Sequence, residues 1–76
     1  MSWDRPFAQP LPLLRGKPAR TLREADNFIK SLPAMERDAP EWRLAAQTLA
    51  DAAEDREPML LAKISMDRAL TRKVAS

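Results

Sequence analysis

Residues 38–55, DAPEWRLAAQTLADAAED, constrain the fold of this 76-residue chain more than any other stretch. Asp38 and Glu41 have the spacing of a capping box, in which each side chain accepts from the other residue's backbone N–H, and Pro40 suits the first turn of a helix. Beyond this start, one side of a 3.6-residue wheel carries Trp42, Ala45, Ala46, Leu49, Ala52 and Ala53. We therefore predict a helix whose apolar face forms the floor of a small core, with Trp42 buried in it.

A second helix is predicted before the central one, beginning at Thr21. Thr21 and Glu24 form another capping box. The apolar stripe behind it is Leu22, Ala25, Phe28, Ile29 and Leu32. Pro33 ends this helix at about Ser31, and the linker over residues 33–38 is short enough to make an antiparallel pair with the central helix.

A third helix is predicted from Pro58 to about Arg72, and it is apolar on two sides. One face carries Met59, Ala62, Met66, Ala69 and Leu70. The opposite side carries Leu60, Leu61 and Ile64. Such a helix is sandwiched in its own fold or has a partner. The second face is covered by a hairpin, by the N-terminal segment or by a second subunit, so Leu60, Leu61 and Ile64 are candidate interface residues.

Upstream of the helices, Gly16 is the only glycine of the chain, and it suits a tight turn that needs a positive φ. We predict a short β-hairpin over residues 11–14 and 18–21, restricted by its prolines to edge pairing. Residues 1–9 are expected to be a flexible arm because of their proline content. Trp3 and Phe7 in this arm either fold back over the domain, which we favour, or anchor a partner.

The expected architecture is thus α+β and mostly α, with an N-terminal β-hairpin followed by a three-helix antiparallel bundle. A chain of this length has room for one domain, expected over residues 10–73, with residues 74–76 frayed. No apolar run approaches the roughly 18 residues that span a bilayer, and the N-terminal stretch does not have the pattern of a signal peptide. We expect a soluble cytoplasmic protein.

Composition argues against catalysis, because the chain has no cysteine and no histidine. Disulfides, zinc sites of the usual ligand types and the commonest catalytic nucleophile–base pairs are therefore excluded. Four carboxylates cluster at the end of the central helix, at Asp51, Glu54, Asp55 and Glu57. They lack the spacing and the glycine of an EF-hand loop, so a solvated acidic face is favoured over a cation site. We expect no cofactor, no metal and no enzymatic activity.

Charge is distributed in blocks although the net charge is only +2. Residues 1–23 and 58–76 are basic, and residues 24–57 are acidic, with nine acidic against four basic side chains. The basic ends either bind an anionic partner or pack against the acidic middle, in this chain or in a second copy; the second interpretation is favoured.

Nucleic-acid binding is the main alternative function. The candidate contacts to an anionic partner are Arg15, Lys17, Arg20 and Arg23. A basic ribbon followed by helices is loosely similar to the ribbon-helix-helix repressors and antitoxins. This ribbon, however, offers leucine and proline where those proteins alternate polar residues, and three helices follow it instead of two. A helix-turn-helix is also disfavoured, because no glycine or other turn signal lies between residues 55 and 58.

Several short motifs follow one another in an order that resembles a known family. A strand pair, the Thr-capped helix with EADNFI, a proline break, an alanine-rich helix and a last helix with AKISMDRAL cover roughly residues 11–72. This order resembles domain-of-unknown-function family 982, a group of small bacterial proteins. Leu32-Pro33 stands where that family has Trp-Pro, and Ala62-Lys63 where it has Ala-Arg; a glycine after the alanine-rich helix is lacking. The resemblance implies a fold and no particular activity.

Together these patterns predict a small, non-enzymatic protein-interaction or self-associating module, with a homodimer as one form of it. The small core, the second apolar side of the last helix and the charge blocks favour this interpretation. The alternative is a nucleic-acid-binding regulator that uses the basic ribbon.

Overall fold

The computed structural model describes residues 2–14 and 16–71. Its elements follow one another as two strands, β1 (Pro6–Leu11) and β2 (Ala19–Thr21), and four helices, α1 (Leu22–Lys30), α2 (Ala34–Arg37), α3 (Pro40–Ala53) and α4 (Met59–Thr71). The two strands form an antiparallel hairpin. The predicted α+β class, mostly helical with an N-terminal hairpin, is confirmed.

The hairpin lies further upstream than the sequence predicted. Its first strand runs over Pro6–Leu11 instead of residues 11–14, so it begins inside the stretch that we expected to be a flexible arm. Phe7 and Leu11 are the buried residues of this strand, and their burial outweighs the missing N–H groups of its prolines. Pairing is irregular: Pro6 pairs with Thr21 and Leu11 with Ala19. Gly16 adopts a φ of 77°, as the turn prediction requires.

Residues 2–5 complete the start of α1. The first N–H groups of a helix have no partner inside it. Here the N–H of Leu22 donates to the carbonyl oxygen of Arg5 at 3.1 Å, and the N–H of Arg23 donates to that of Trp3 at 2.8 Å. The N–H of Glu24 donates to Oγ1 of Thr21, which confirms the Thr21 half of the predicted capping box. The Glu24 carboxylate accepts from the N–H of Arg20 at 3.1 Å instead of from that of Thr21. Trp3 and Phe7 fold back onto the core, as favoured from the sequence.

The central helix α3 begins differently from the prediction. It starts at Pro40 with Ala39 as its N-cap and with no side-chain cap hydrogen bond, whereas Asp38 is the C-cap of α2. The predicted capping box is therefore wrong. The reason is the short helix α2, which occupies the predicted linker. It ends with the N–H of Asp38 donating to the carbonyl oxygen of Ala34, so Asp38 closes α2 instead of beginning α3.

The core draws one fully buried large side chain from each of four elements. These side chains are Leu11 of β1, Leu22 of α1, Leu49 of α3 and Met66 of α4. The predicted apolar face of α3 is confirmed, with Trp42 only 2% exposed and its ring 5.8 Å from that of Phe28. Because α3 packs against both α1 and α4, it is the central element of the fold. The predicted end of the last helix at Arg72 and the frayed residues 74–76 lie outside the described residues.

Candidate functional site

Helix α4 has one buried face and one exposed apolar face. Ala62, Met66 and Ala69 are fully or almost fully buried. On the opposite side Leu60 is 61% exposed, Leu61 39% and Ile64 38%. We call these three side chains the α4 flank. In the described part of the chain β1 of the hairpin approaches the flank beside Leu60, but it buries none of the three side chains.

An apolar depression adjoins the α4 flank on the side of β1. It is lined by Phe7 and Ala8 of β1 and by Met59, Leu60 and Lys63 of α4. The apolar surface therefore continues from the α4 flank into this depression, and Leu60 is part of both. No short sequence motif marks this depression, because its two walls are more than 50 residues apart in the chain.

Charged side chains border the α4 flank. Nζ of Lys63 lies 2.9 Å from Oδ2 of Asp67, the i,i+4 pair expected from the sequence. Arg68 follows one turn after Ile64 and is exposed, and Glu57 lies two residues before the start of α4. Neither Arg68 nor Glu57 belongs to an ion pair within residues 2–14 and 16–71. The apolar flank is thus followed by a cation and preceded by an anion.

The basic candidates do not form one continuous cationic surface in the described part of the chain. Lys17 and Arg20 are exposed and line a depression together with Glu24, whose Oε1 accepts from the backbone N–H of Arg20. Nε of Arg23 lies 3.0 Å from Oδ1 of Asp4, so this cation is already paired. Arg15 lies outside the described residues.

Three of the four carboxylates at the end of α3 have partners inside the protein. Oδ1 of Asp51 accepts from Nε2 of Gln47, Glu54 pairs with Arg56 at 3.6 Å, and Asp55 pairs with Arg5 at 2.6 Å. Nowhere in residues 2–14 and 16–71 do three or more carboxylate side chains come together as a metal site would require.

Further large apolar side chains are exposed that the sequence did not single out. They are Leu14, Met35 and Leu44, of which Met35 is 90% exposed. Leu14 borders a second depression with Phe28 and Leu32 of the α1 region. The sequence gives little indication that these side chains are exposed, because isolated apolar residues in loops and on helix surfaces are common.

Comparison with known proteins found no match to any family model, curated protein or solved structure. The resemblance to domain-of-unknown-function family 982 therefore stays a prediction. No helix in the described part of the chain is long and apolar enough to cross a membrane.

Proposed function

We propose that this chain is a non-enzymatic, cytoplasmic protein-interaction module and that the α4 flank is its docking surface. The observation that carries the proposal is the exposure of three large aliphatic side chains, Leu60, Leu61 and Ile64, on adjacent turns of one helix. The opposite face of α4 is already filled by the core, while Leu60, Leu61 and Ile64 remain 61%, 39% and 38% exposed. Contiguous exposed apolar surface of this kind is typical of interaction sites.

Two further features support the proposal. The depression between β1 and α4 enlarges the apolar surface, and charged residues border it, which is the usual arrangement of an interface with an apolar centre and a polar rim. The interpretation of α1, α3 and α4 as an antiparallel three-helix bundle remains part of this proposal, with α3 contacting both other helices. Such a scaffold presents α4 at its surface.

The test is site-specific photo-crosslinking in the native cells. A photoreactive amino acid replaces Leu61 in one variant and Leu44, a comparably exposed leucine of α3, in the control. We expect a defined protein adduct from position 61, identified by mass spectrometry, and its loss when Ile64→Glu is added. Position 44 should give no defined adduct. Equal adduct patterns at positions 61 and 44, or none at 61, would contradict the proposal.

Nucleic-acid binding is the second candidate function. The observation favouring it is the exposed pair Lys17 and Arg20 at the hairpin end, in a region whose sequence is basic. It ranks second because Glu24 shares the depression and Arg23 is paired with Asp4. Salt-dependent titration with DNA and RNA separates it from the leading proposal.

A further inference from the structure

We propose that the partner on the α4 flank is a second copy of this chain, with the two α4 helices packed antiparallel about a two-fold axis between Leu61 and Ile64. This inference rests on the proposed docking role of the flank and adds the identity and orientation of the occupant. In such a pair Leu61 of each copy faces Ile64 of the other, so the apolar contact is self-complementary, as a two-fold interface requires.

The charges that border the flank favour the antiparallel orientation. Glu57 lies four residues before Leu61, and Arg68 lies four residues after Ile64. An axis midway between Leu61 and Ile64 therefore brings the segment before α4 of one copy, where Glu57 lies, beside the Arg68 end of α4 of the other, twice in the dimer. A parallel arrangement would instead set Glu57 against Glu57 and Arg68 against Arg68, which is unfavourable.

The other charges near α4 are already paired within the protein. Glu54 pairs with Arg56, Asp55 with Arg5, and Asp67 with Lys63. Within residues 2–14 and 16–71 Glu57 and Arg68 belong to no such ion pair, so they are the charges that a second copy can pair. Antiparallel packing also opposes the two helix dipoles.

A dimer interface must extend beyond the three side chains of the α4 flank. A standard interface buries about 800 Å² on each partner, and the described residues expose 5172 Å² in all. About a sixth of the surface must therefore be covered, more than three side chains provide. We infer that the interface also covers the depression lined by Phe7, Ala8 and Met59, together with the charged residues that border the flank.

Molecular mass and dimer dissociation constant, measured by light scattering and analytical ultracentrifugation on the full chain, test the inference. The variants are Glu57→Arg, Arg68→Glu and the double exchange. Arg43→Glu on the exposed side of α3 is the control, because it changes net charge as Arg68→Glu does. Circular dichroism and thermal unfolding establish that each variant is folded.

We expect the wild-type chain to dimerise and each single exchange to raise the dissociation constant about tenfold, since two favourable pairs become two like-charge pairs. The double exchange, and an equal mixture of the two single variants, should restore wild-type affinity. Arg43→Glu should leave it unchanged. Single exchanges that act no differently from the control, or a double exchange that fails to restore affinity, would overturn the antiparallel arrangement.

Failure of this inference is distinguishable from failure of the proposed function. A wild-type chain that stays monomeric up to about 1 mM rules out the second copy as partner. The proposed function survives that result if position 61 still gives a crosslinked adduct with a different protein. It fails only if the crosslinking itself shows nothing specific to the α4 flank.

Discussion

Nη1 of Arg5 lies 2.6 Å from Oδ1 of Asp55, and the same nitrogen donates to the carbonyl oxygen of Ala52 at 2.8 Å. One side chain from the segment before β1 thereby binds the C-terminal end of α3, where carbonyl groups lack helical partners and carry partial negative charge. The N–H of Ser2 adds a bond to the carbonyl oxygen of Ala53 at 2.7 Å. The N-terminal residues are thus fastened to the central helix.

Replacing Arg5 with alanine should lower the free energy of unfolding by about 1–2 kcal/mol, because a partly buried charged donor to a helix-end carbonyl is lost together with an ion pair. Urea denaturation monitored by circular dichroism measures the change. The control is Arg56→Ala, whose 3.6 Å pair with Glu54 is exposed. We expect the control to cost less than about 0.5 kcal/mol. Equal losses for both variants would show that the Arg5 contacts add nothing specific.

Asp55 follows the C-cap of α3 and has a backbone conformation that glycine adopts more readily than other residues. Its φ is 64°, and two backbone bonds close the helix: the N–H of Asp55 to the carbonyl oxygen of Ala52 and the N–H of Arg56 to that of Asp51. This is the Schellman arrangement, whose left-handed residue is usually glycine and sometimes asparagine. The usual sequence signal of such a cap is a glycine, and aspartate stands in its place here.

Asp55→Ala should therefore be less stable than Asp55→Asn by about 1 kcal/mol, since both remove the charge that pairs with Arg5 but only alanine lacks a side chain suited to the left-handed region. Asp55→Gly should be at least as stable as Asp55→Asn for the same reason. Thermal and urea unfolding rank the three variants. An alanine variant as stable as the asparagine variant would mean that the helix end relaxes to another conformation.

Close packing of alanines between α3 and α4 gives another testable consequence. Ala52 of α3 and Ala62 of α4 are fully buried, and these two helices form the most extensive contact between elements. Ala62→Leu should destabilise the fold by about 1–3 kcal/mol, because there is no space for a larger side chain without moving a helix. Ala34→Leu on exposed α2 is the control and should be close to neutral. An unchanged unfolding midpoint for Ala62→Leu would mean that α4 has room to shift outward.

Local sequence patterns predicted the three long helices, but they did not predict the position of β1, the contacts of Arg5 or the short helix α2. Helices α1 and α3 lie within two residues of their predicted bounds, and α4 begins one residue after its predicted start, because periodicity and prolines act over one or two turns. The placement of β1 and the fastening of Arg5 depend on contacts with residues as far as 50 positions away, which no local window contains. α2 was missed because four residues give no periodicity.

The residues of the candidate site could be predicted from the sequence, whereas their exposure and surroundings could not. The α4 flank follows from helical spacing alone, so Leu60, Leu61 and Ile64 could be named before the fold was known. That the hairpin leaves them exposed, and that Phe7 and Ala8 extend the apolar surface, required the three-dimensional arrangement. The pairing of Arg23 with Asp4 likewise removes one of the four basic candidates from a free cationic surface.

Nucleic-acid binding should accordingly be weak and only mildly dependent on salt. Each phosphate contact with duplex DNA contributes a slope of about −0.9 to a plot of log affinity against log salt concentration. If Lys17 and Arg20 act together, the slope should be about −2, and binding should vanish near physiological salt. Fluorescence anisotropy with labelled DNA and RNA gives both quantities, with Lys17→Glu/Arg20→Glu as the loss variant and Arg37→Glu/Arg43→Glu as the control of equal charge change. A slope steeper than about −4 with tight binding at physiological salt would mean that more cations, Arg15 among them, act together on phosphates. That outcome would place the nucleic-acid function ahead of the α4 flank.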